Sequence, residues 1–578
     1  MPEKSEGQRP RLSIAAIAGL ALFLAALGLR LMGIGWGLKN DLHNASYHPD
    51  ETVNFAYSRA IAPEAGQFVP AQPLPHFYSY GTLYLTLLRI ASDMTSTYTG
   101  PPKVKGDGFS WSDPDRTDWD WVSRCDLAGR WISALAGAGT ALICFLIMLR
   151  AFGPLAGIAA GLLVMFAPAH VMHSRFQTVD ALATFLLAVS LYFAVKVAKE
   201  EKAGWKEAVW CAVFAGLSAG TKYTGILALL GLFVALAVRK PPKAALMGLA
   251  SVPIALLTFL LTTPGAALDS SNFLSDFSYE MAHTAEGHGL VFANTPNGFA
   301  YHLINLTIGI GPILAVLGLC GLTWAAFKKH RWAWVLLAFA VPYYISIGRA
   351  EVKFIRYSFP LYIGVACGFG YAMEACHRRG KWARTGVAVG ILGLGGLPFG
   401  GLATSFALTL GMMREDPRDA AAKYIKTAGH TVGITANNWF WTPALFPNSV
   451  EPLAVPEPVR LTQMALATPP VVFAVTPDGN PTEWSPRLVT VLKPDVITFS
   501  SFQALPIFRT TGVQGLPDDI RPSAEAGAKF MQTLQASYDK DRSFGGDILG
   551  GAAAEEFMPE DYLYTDPIVW VWKRKPSP

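Results

Sequence analysis

The sequence predicts an α-helical polytopic membrane protein with about eleven transmembrane helices, followed by a C-terminal soluble α/β domain. Its 578 residues are 52% hydrophobic and 15% charged, whereas ordinary globular chains are about 25% charged. Apolar runs of bilayer-spanning length, roughly 20 residues, recur between residues 13 and 411, and the chain from 412 to 578 has an ordinary soluble composition. We therefore predict a membrane domain, 1–411, and an extracytoplasmic domain, 412–578.

The apolar stretches predict the individual spans. The first begins after three basic residues, as a signal peptide does, but it continues through Gly37 without a clear cleavage site, so we interpret it as a retained span. The stretch 207–238 fits either two short helices or one long kinked helix. The predicted spans are 13–37, 126–149, 153–172, 178–197, 207–220, 223–238, 244–263, 301–326, 332–348, 357–375 and 385–411.

Basic residues in the short loops predict the orientation. With the N-terminus in the cytoplasm, every strongly basic loop falls on the cytoplasmic side, as the positive-inside rule requires. An odd number of spans then places the C-terminal domain outside the plasma (inner) membrane, together with the long loops 38–125 and 264–300. Within the first loop, 50–62 and 76–94 are predicted to form short helices at the membrane surface.

Several classes of function are not indicated by the composition. The net charge of +5 comes from the basic loops, so it does not indicate a nucleic-acid partner. None of the six cysteines forms a CxxC pair, and neither a disulfide framework nor a zinc site is predicted. The C-terminal domain alternates helix-like and strand-like runs, but it contains no glycine-rich phosphate loop and no nucleophile elbow.

Ionisable residues at the outer ends of the spans are the candidate functional residues, because charge near hydrocarbon is costly. Asp50 and Glu51 stand in YHPDETVN, residues 47–54, and Asp180 opens the span 178–197. Acids after a proline are also an ordinary helix start, and basic side chains also anchor spans by snorkelling. The candidate cations are Arg175, Lys222, Arg349, Lys353 and Arg356.

Taken together, these residue types suit a reaction of a lipid-linked sugar phosphate at the outer membrane face. Cations stabilise a phosphate leaving group in a site of low dielectric constant. A carboxylate accepts the proton of an attacking hydroxyl. Their spacing in the sequence leaves open whether they meet in space.

Four stretches carry a resemblance to a known family: HPDE at 48–51, HSRFQTVDALATFLLAV at 173–189, GLSAGTKYTGILAL at 216–229 and KFIRYSFPLYIGVA at 353–366. In this order they resemble the membrane-embedded glycosyltransferases of the C-type fold, in the branch of protein O-mannosyltransferases and the lipid A aminoarabinose transferase. The C-terminal domain has no WWDYG-like motif, and WFWTPAL at 439–445 is not one. This departure argues against an oligosaccharyltransferase.

The resemblance implies an inverting glycosyltransferase that moves a sugar from a polyprenyl-phosphate carrier to an acceptor hydroxyl. Asp50 would be the general base with Glu51 in support, and Asp180 would orient the acceptor or the base. The implied phosphate-binding residues are Lys222, Lys353, Arg356, Arg349 and Arg175, and the supporting residues are His48, Tyr223 and Tyr357.

The resemblance implies no required cofactor. A lipid monophosphate carries little charge, so lysine and arginine suffice to neutralise it, although the Asp50/Asp180 pair is compatible with a divalent metal ion. The implied partners are the polyprenyl-phosphate sugar, membrane lipids and an acceptor that is a protein, a lipid or a glycan. The residues leave the sugar, the acceptor and the lipid carrier open.

Two other classes of function stay open as alternatives. A secondary transporter would show internal repeats and charges near the bilayer midplane, and neither is found in the sequence. A membrane-anchored sensor or assembly protein would leave the acids and cations at the outer span ends without a role.

Overall fold

The structure is a computed structural model, and it is mostly helical. It describes residues 14–62, 66–67, 76–104, 108–378, 380–428, 431–436, 440–448, 457–475, 482–548, 550–551 and 556–576.

The first four helices of the membrane domain are joined by the long connections 32–48, 60–82 and 100–118, and the later helices by shorter ones. In chain order they are α1 (Ile14–Leu31), α2 (Pro49–Arg59), α3 (Leu83–Thr99), α4 (Trp119–Ala151), α5 (Pro154–Met165), α6 (Pro168–His173), α7 (Val179–Lys199), α8 (Trp205–Ala219), α9 (Ala228–Arg239), α10 (Ala244–Thr262), α11 (Gly265–Leu268), α12 (Ser270–Glu286), α13 (Gly298–Ile310), α14 (Pro312–Phe327), α15 (Arg331–Gly348), α16 (Phe359–Arg378), α17 (Lys381–Gly395) and α18 (Gly401–Met412).

Several of these helices are suited to a bilayer. Among the described residues, four are long and apolar enough to cross a membrane, namely α1, α4, α7 and α10, or up to five if the bent pair α13–α14 is one span. Leu249 and Leu261 of α10 are each more than 70% exposed, as side chains that face lipid would be. A multi-pass membrane protein is thus confirmed, and the number of eleven spans stays a prediction.

Three of the predicted spans are interrupted. The predicted span 153–172 is divided between α5 and α6, because Pro168 has no N–H to continue the ladder of α5. The predicted span 301–326 is two helices at 115° to each other, because Gly311 adopts a positive φ of 112° and Pro312 has no N–H to continue the ladder. The predicted span 385–411 is divided between α17 and α18 at a glycine-rich turn, where Gly396 and Gly400 also have positive φ. The interpretation of each as one continuous helix is wrong.

The core of the membrane domain lies around α4, α7 and α16. Helix α4 packs against α1, α5 and α7, while α16 packs against α5 and α14. A 3₁₀ turn, Tyr223–Leu227, separates α8 from α9, and a second, Ile355–Ser358, leads into α16. Lys222, at the N-cap of the first turn, and Arg356, within the second, both line one cavity.

The C-terminal region contains a five-stranded mixed sheet with helices on it. The strands are β1 (Val432–Ile434), β2 (Val471–Val472), β3 (Val496–Ser500), β4 (Tyr538–Phe544) and β5 (Val569–Arg574), and the helices are α19 (Pro417–Ala428), α20 (Glu457–Leu466), α21 (Ser501–Thr510) and α22 (Arg521–Ser537). The strand order is β2-β1-β3-β5-β4, with β1 parallel to β2 and β3, and β5 antiparallel to β3 and β4. A 3₁₀ segment, Glu560–Thr565, precedes β5 and reaches the membrane domain.

Candidate active site

A cavity of about 1100 Å³ lies between the membrane domain, the segment 264–300 and the C-terminal region. Asp50, Asp180, Lys222 and Arg356 line its membrane side. Glu280 and His283 of α12 line a second side. The third side is formed by aromatic and polar residues of the C-terminal region, among them Phe440, Trp441, Phe502, Gln503 and Tyr564.

Asp50 is held at the start of α2 and points into this cavity. Pro49 occupies the first helical position, and Nδ1 of His48 caps the helix by accepting the Asp50 N–H at 3.3 Å. The Asp50 side chain remains 40% exposed, with Oδ2 lying 3.5 Å from Arg356 Nη2. Burial raises the pKa of Asp50, and the positive charge of Arg356 opposes that shift. A carboxylate with a raised pKa is a better proton acceptor.

Asp180 lies deeper, in the first turn of α7, and is paired with a lysine. Lys222 Nζ donates to Asp180 Oδ1 at 2.7 Å, and the same Nζ lies 4.1 Å from the centre of the Tyr357 ring. The Asp180 side chain is 6% exposed, against 26% for Lys222. The lysine is therefore the member of this pair that a ligand in the cavity reaches.

Arg356 joins the two acids. Its Nη2 faces Asp50, its Nε lies 3.7 Å from Asp180 Oδ2, and its Nη1 lies 3.7 Å from Asp561 Oδ2. The guanidinium carbon also lies 4.2 Å from the centre of the Phe354 ring. We call Asp50, Asp180, Lys222 and Arg356 the open cluster, because all four line the cavity.

Glu51 belongs to a different and fully buried group. Arg130 of α4 forms a bidentate ion pair with it, at 2.8 Å to Oε1 and 2.7 Å to Oε2. Oε1 also accepts the Gln177 N–H at 2.7 Å, and Oε2 accepts the Ser46 hydroxyl. We call Glu51, Arg130, Gln177 and Ser46 the sealed cluster. Because each Glu51 oxygen already accepts two hydrogen bonds, its predicted role beside the catalytic base does not fit this placement.

Three of the predicted phosphate-binding cations also lie away from the cavity. Arg175 is completely buried and donates to the Leu29 carbonyl and the Thr409 hydroxyl. Lys353 is turned toward the Pro296 carbonyl at 3.2 Å and Glu351 at 3.0 Å. Arg349 is exposed at the end of α15.

The predicted supporting residues occupy three distinct places. Tyr357 lines the cavity. His48 is buried between Phe176 and Tyr564, and burial together with the charge of Arg356 lowers the pKa of its imidazole. Tyr223 is not among the described residues that line the cavity, and its hydroxyl donates to the Tyr78 carbonyl at 2.7 Å.

The sequence did not indicate the residues that reach the open cluster from distant parts of the chain. Asp561 and Tyr564 come from the C-terminal region and contact Arg356, and Glu280 comes from α12. The 560–565 segment reads EDYLYT and has no motif. The one feature of this segment that could have indicated a site residue is an acid followed by two tyrosines shortly before the last strand.

Among the residues that the structure describes, no group of three or more histidine, cysteine, aspartate or glutamate side chains converges as a metal site would. Asp50 and Asp180 both pair with the same cation, Arg356, at 3.5 and 3.7 Å.

Part of this site lies in a segment that matches a known family. Residues 123–266, which include Asp180 and Lys222, match the family described as dolichyl-phosphate-mannose-protein mannosyltransferase. A comparison with curated protein sequences finds no match.

Several solved structures are similar to this chain at low identity. ArnT from Cupriavidus metallidurans bound to undecaprenyl phosphate is 16% identical, with a TM-score of 0.48 over 72% of this chain and 70% of that chain. The archaeal oligosaccharyltransferase AglB from Archaeoglobus fulgidus, in complex with an inhibitory peptide and a dolichol-phosphate, is 14% identical, with a TM-score of 0.44 over 72% of this chain and 58% of that chain. The S. cerevisiae protein O-mannosyltransferase Pmt1-Pmt2 complex bound to the sugar donor is 15% identical, with a TM-score of 0.29 over 47% of this chain and 34% of that chain.

The family match confirms the predicted class of protein, a membrane glycosyltransferase that uses a lipid-linked donor. The predicted resemblance to the branch that contains the O-mannosyltransferases is confirmed with it.

Proposed function

We propose that this chain transfers one sugar from a polyprenyl-phosphate carrier to an acceptor hydroxyl, with inversion at the anomeric carbon. The observation that carries the proposal is the open cluster. A half-exposed carboxylate, Asp50, lies on the same cavity wall as two cations, Lys222 and Arg356. The wall is formed by helix ends and loops at one side of the membrane domain, where the head group of a lipid-linked donor would lie.

Three residues of the open cluster act directly on the substrates in this reaction. Lys222 and Arg356 bind the donor phosphate. The acceptor oxygen attacks the anomeric carbon while its proton passes to the Asp50 carboxylate. The bond between the anomeric carbon and the phosphate oxygen breaks, and the electron pair stays on the polyprenyl phosphate, where the two cations stabilise the added charge.

Asp180 acts on the donor side of this mechanism. Because its carboxylate holds Lys222 Nζ at 2.7 Å, it fixes the position of the ammonium that meets the phosphate. This differs from the role in orienting the acceptor or the base that the resemblance implies, and the burial of Asp180 favours the donor-side role.

The size of the cavity supports a two-substrate reaction. Pockets for drug-sized ligands are about 300–1000 Å³, and this cavity is about 1100 Å³. We propose that the donor sugar lies beside the open cluster, and that the acceptor, a protein, lipid or glycan, enters along the C-terminal wall.

The proposed topology follows from the basic loops. The N-terminus and the basic loops would be cytoplasmic, and the cavity and the C-terminal domain would lie outside the plasma (inner) membrane. Eleven spans and a separate C-terminal α/β domain, 412–578, are part of this proposal.

We also propose that the reaction requires no cofactor. Activity that persists in excess EDTA would support the last point, and its loss with recovery on adding Mg²⁺ or Mn²⁺ would contradict it.

The test is the reaction of the purified protein in lipid nanodiscs with a panel of radiolabelled polyprenyl-phosphate sugars. We expect one of these donors to release polyprenyl phosphate, and NMR of the product to show the anomeric configuration inverted. Retention of configuration would refute the single-displacement mechanism. Counterflow of a small solute in liposomes without donor consumption would instead indicate a transporter.

A further inference from the structure

The 3₁₀ segment Glu560–Thr565 of the C-terminal region packs against the turn Ile355–Ser358 that carries Arg356. Asp561 lies at this contact and is completely buried. The two segments are far apart in the sequence, so the contact exists only in the folded chain.

The Asp561 carboxylate binds both the backbone and the side chain of this turn. Oδ1 accepts the Ile355 N–H at 2.8 Å, and Oδ2 accepts the Arg356 N–H at 3.3 Å. Oδ2 also lies 3.7 Å from Arg356 Nη1. A carboxylate from another part of the chain therefore caps the turn and faces the guanidinium.

Arg356 faces three carboxylates, and their positions differ. Asp50 is half exposed and is proposed to receive a proton during the reaction. Asp180 is already engaged by Lys222 at 2.7 Å. Asp561 does not line the cavity, so a ligand there does not contact its carboxylate directly.

The other groups around Asp561 are neutral or distant. His173 Nε2 of α6 lies 3.7 Å from Oδ2, and the phenol of Tyr564 lies 3.5 Å from Arg356 Nη1. Tyr301 of α13 and Tyr362 of α16 contribute two further phenols nearby. Burial raises the pKa of Asp561 to about 6, although Arg356 and the two backbone N–H groups oppose the shift.

We propose that Asp561 is a positioning residue of the glycosyl transfer site, which holds the Arg356 guanidinium where it meets the donor phosphate. The inference rests on the proposed function. It makes the C-terminal region a structural part of the donor site, in addition to forming the acceptor wall.

Asp561→Asn removes the charge and keeps part of the cap. The amide oxygen still accepts the Ile355 N–H, whereas the bond from the Arg356 N–H and the attraction to the guanidinium are lost. Hydrogen bonds to charged groups contribute about 1.5–3 kcal/mol, so we expect the KM for the donor to rise about 10- to 100-fold, with a much smaller change in kcat. Asp566→Asn is the matched control, because Asp566 lies just beyond the same segment, is buried, and bonds to the Ile548 N–H at 3.1 Å.

A double-mutant cycle with Arg356→Gln shows whether Asp561 acts through Arg356. In that background, Asp561→Asn should have almost no further effect on the KM. Additive effects of the two substitutions would overturn the proposal, because residues that act through each other are not additive.

The pH profile gives a readout that a general loss of stability would not produce. A phosphodiester donor keeps its single negative charge near neutral pH, so a change in KM reports the protein. The wild-type KM should rise as the pH falls through about 6, where Asp561 becomes protonated. The inflection should disappear in Asp561→Asn and persist in Asp566→Asn. An inflection that persists in Asp561→Asn, or a KM equal to that of the wild type, would refute the inference.

The rate at which phenylglyoxal modifies Arg356, measured by peptide mass spectrometry, tests the same contact without any donor. We expect faster modification in Asp561→Asn than in Asp566→Asn. If the wild type consumed no lipid-linked donor, the proposed function would be refuted. The rate of phenylglyoxal modification would still show whether Asp561 holds Arg356. Equal rates in the two variants would count against the positioning role.

Discussion

The open cluster and the sealed cluster begin at adjacent residues, Asp50 and Glu51, and have opposite characters. Both consist of carboxylates paired with cations at the same end of the membrane domain. In the open cluster the contacts of Arg356 are long, at 3.5 and 3.7 Å, and its members line the cavity. In the sealed cluster the Glu51–Arg130 contacts are 2.7 and 2.8 Å, and both side chains are fully buried.

The difference arises from the geometry of one helix turn. Successive residues of an α-helix point about 100° apart around its axis, so Asp50 faces the cavity when Glu51 faces α4. A carboxylate with every lone pair engaged stabilises the fold and is poorly placed for proton transfer. A carboxylate with one cation at 3.5 Å and an exposed edge can receive a proton.

The largest effect on catalysis is expected at Asp50. Asp50→Asn removes the proton acceptor and should lower kcat by about 10²–10⁴-fold, measured as radiolabelled donor turnover. Asp93→Asn is the control, since Asp93 is 51% exposed and also pairs with an arginine, Arg59, but lies outside the cavity. Full activity of Asp50→Asn would remove the general base from the mechanism.

The largest effect on stability is expected in the sealed cluster. Arg130→Met leaves Glu51 buried without its partner, and breaking a buried pair in this way costs about 3–5 kcal/mol of unfolding free energy. The double variant Glu51→Leu/Arg130→Met should recover most of that loss, because it removes both charges. Chemical unfolding in detergent measures both, and a single variant as stable as the wild type would show that the pair is dispensable.

Substitution of Lys222 and substitution of Lys353 should have different effects on donor binding. Lys222→Met removes a cation that lines the cavity and should raise the donor KM about 10- to 100-fold, since a charge-assisted contact is lost. Lys353→Met should leave the KM unchanged, because its ammonium is bound to Pro296 and Glu351. Equal increases in both variants would show that the phosphate reaches Lys353.

The smallest effect is expected at Arg349. It is exposed at the end of α15, and substitutions at such positions usually change stability by no more than about 0.5 kcal/mol. Steady-state kinetics of Arg349→Ala should stay within about two-fold of the wild type. A larger rise in the donor KM would place this arginine on the path of the lipid head group.

Much of the site could be predicted from the sequence because charge is conspicuous in an apolar chain. Asp50, Asp180, Lys222 and Arg356 were all candidates, and the structure brings these four together. Charge in an apolar chain could not distinguish these four from Glu51, Arg175 and Lys353. The sequence does not show whether an ionised side chain faces a cavity or a buried partner. The spans 301–326 and 385–411 were predicted as continuous although they break at glycines. Hydropathy is averaged over a window of residues, so it does not detect a change in φ at one position.

The sequence by itself determined the class of the protein, since the hydrocarbon core of a bilayer demands long apolar helices and leaves charge at their ends. It also determined where helix α2 begins, through Pro49 and the acids that follow. Only the tertiary structure decided which acid of YHPDETVN faces the cavity and which cations accompany it. It also decided that Asp561, from the far end of the chain, meets Arg356, because contacts between distant segments depend on how helices pack and leave no local pattern in the sequence.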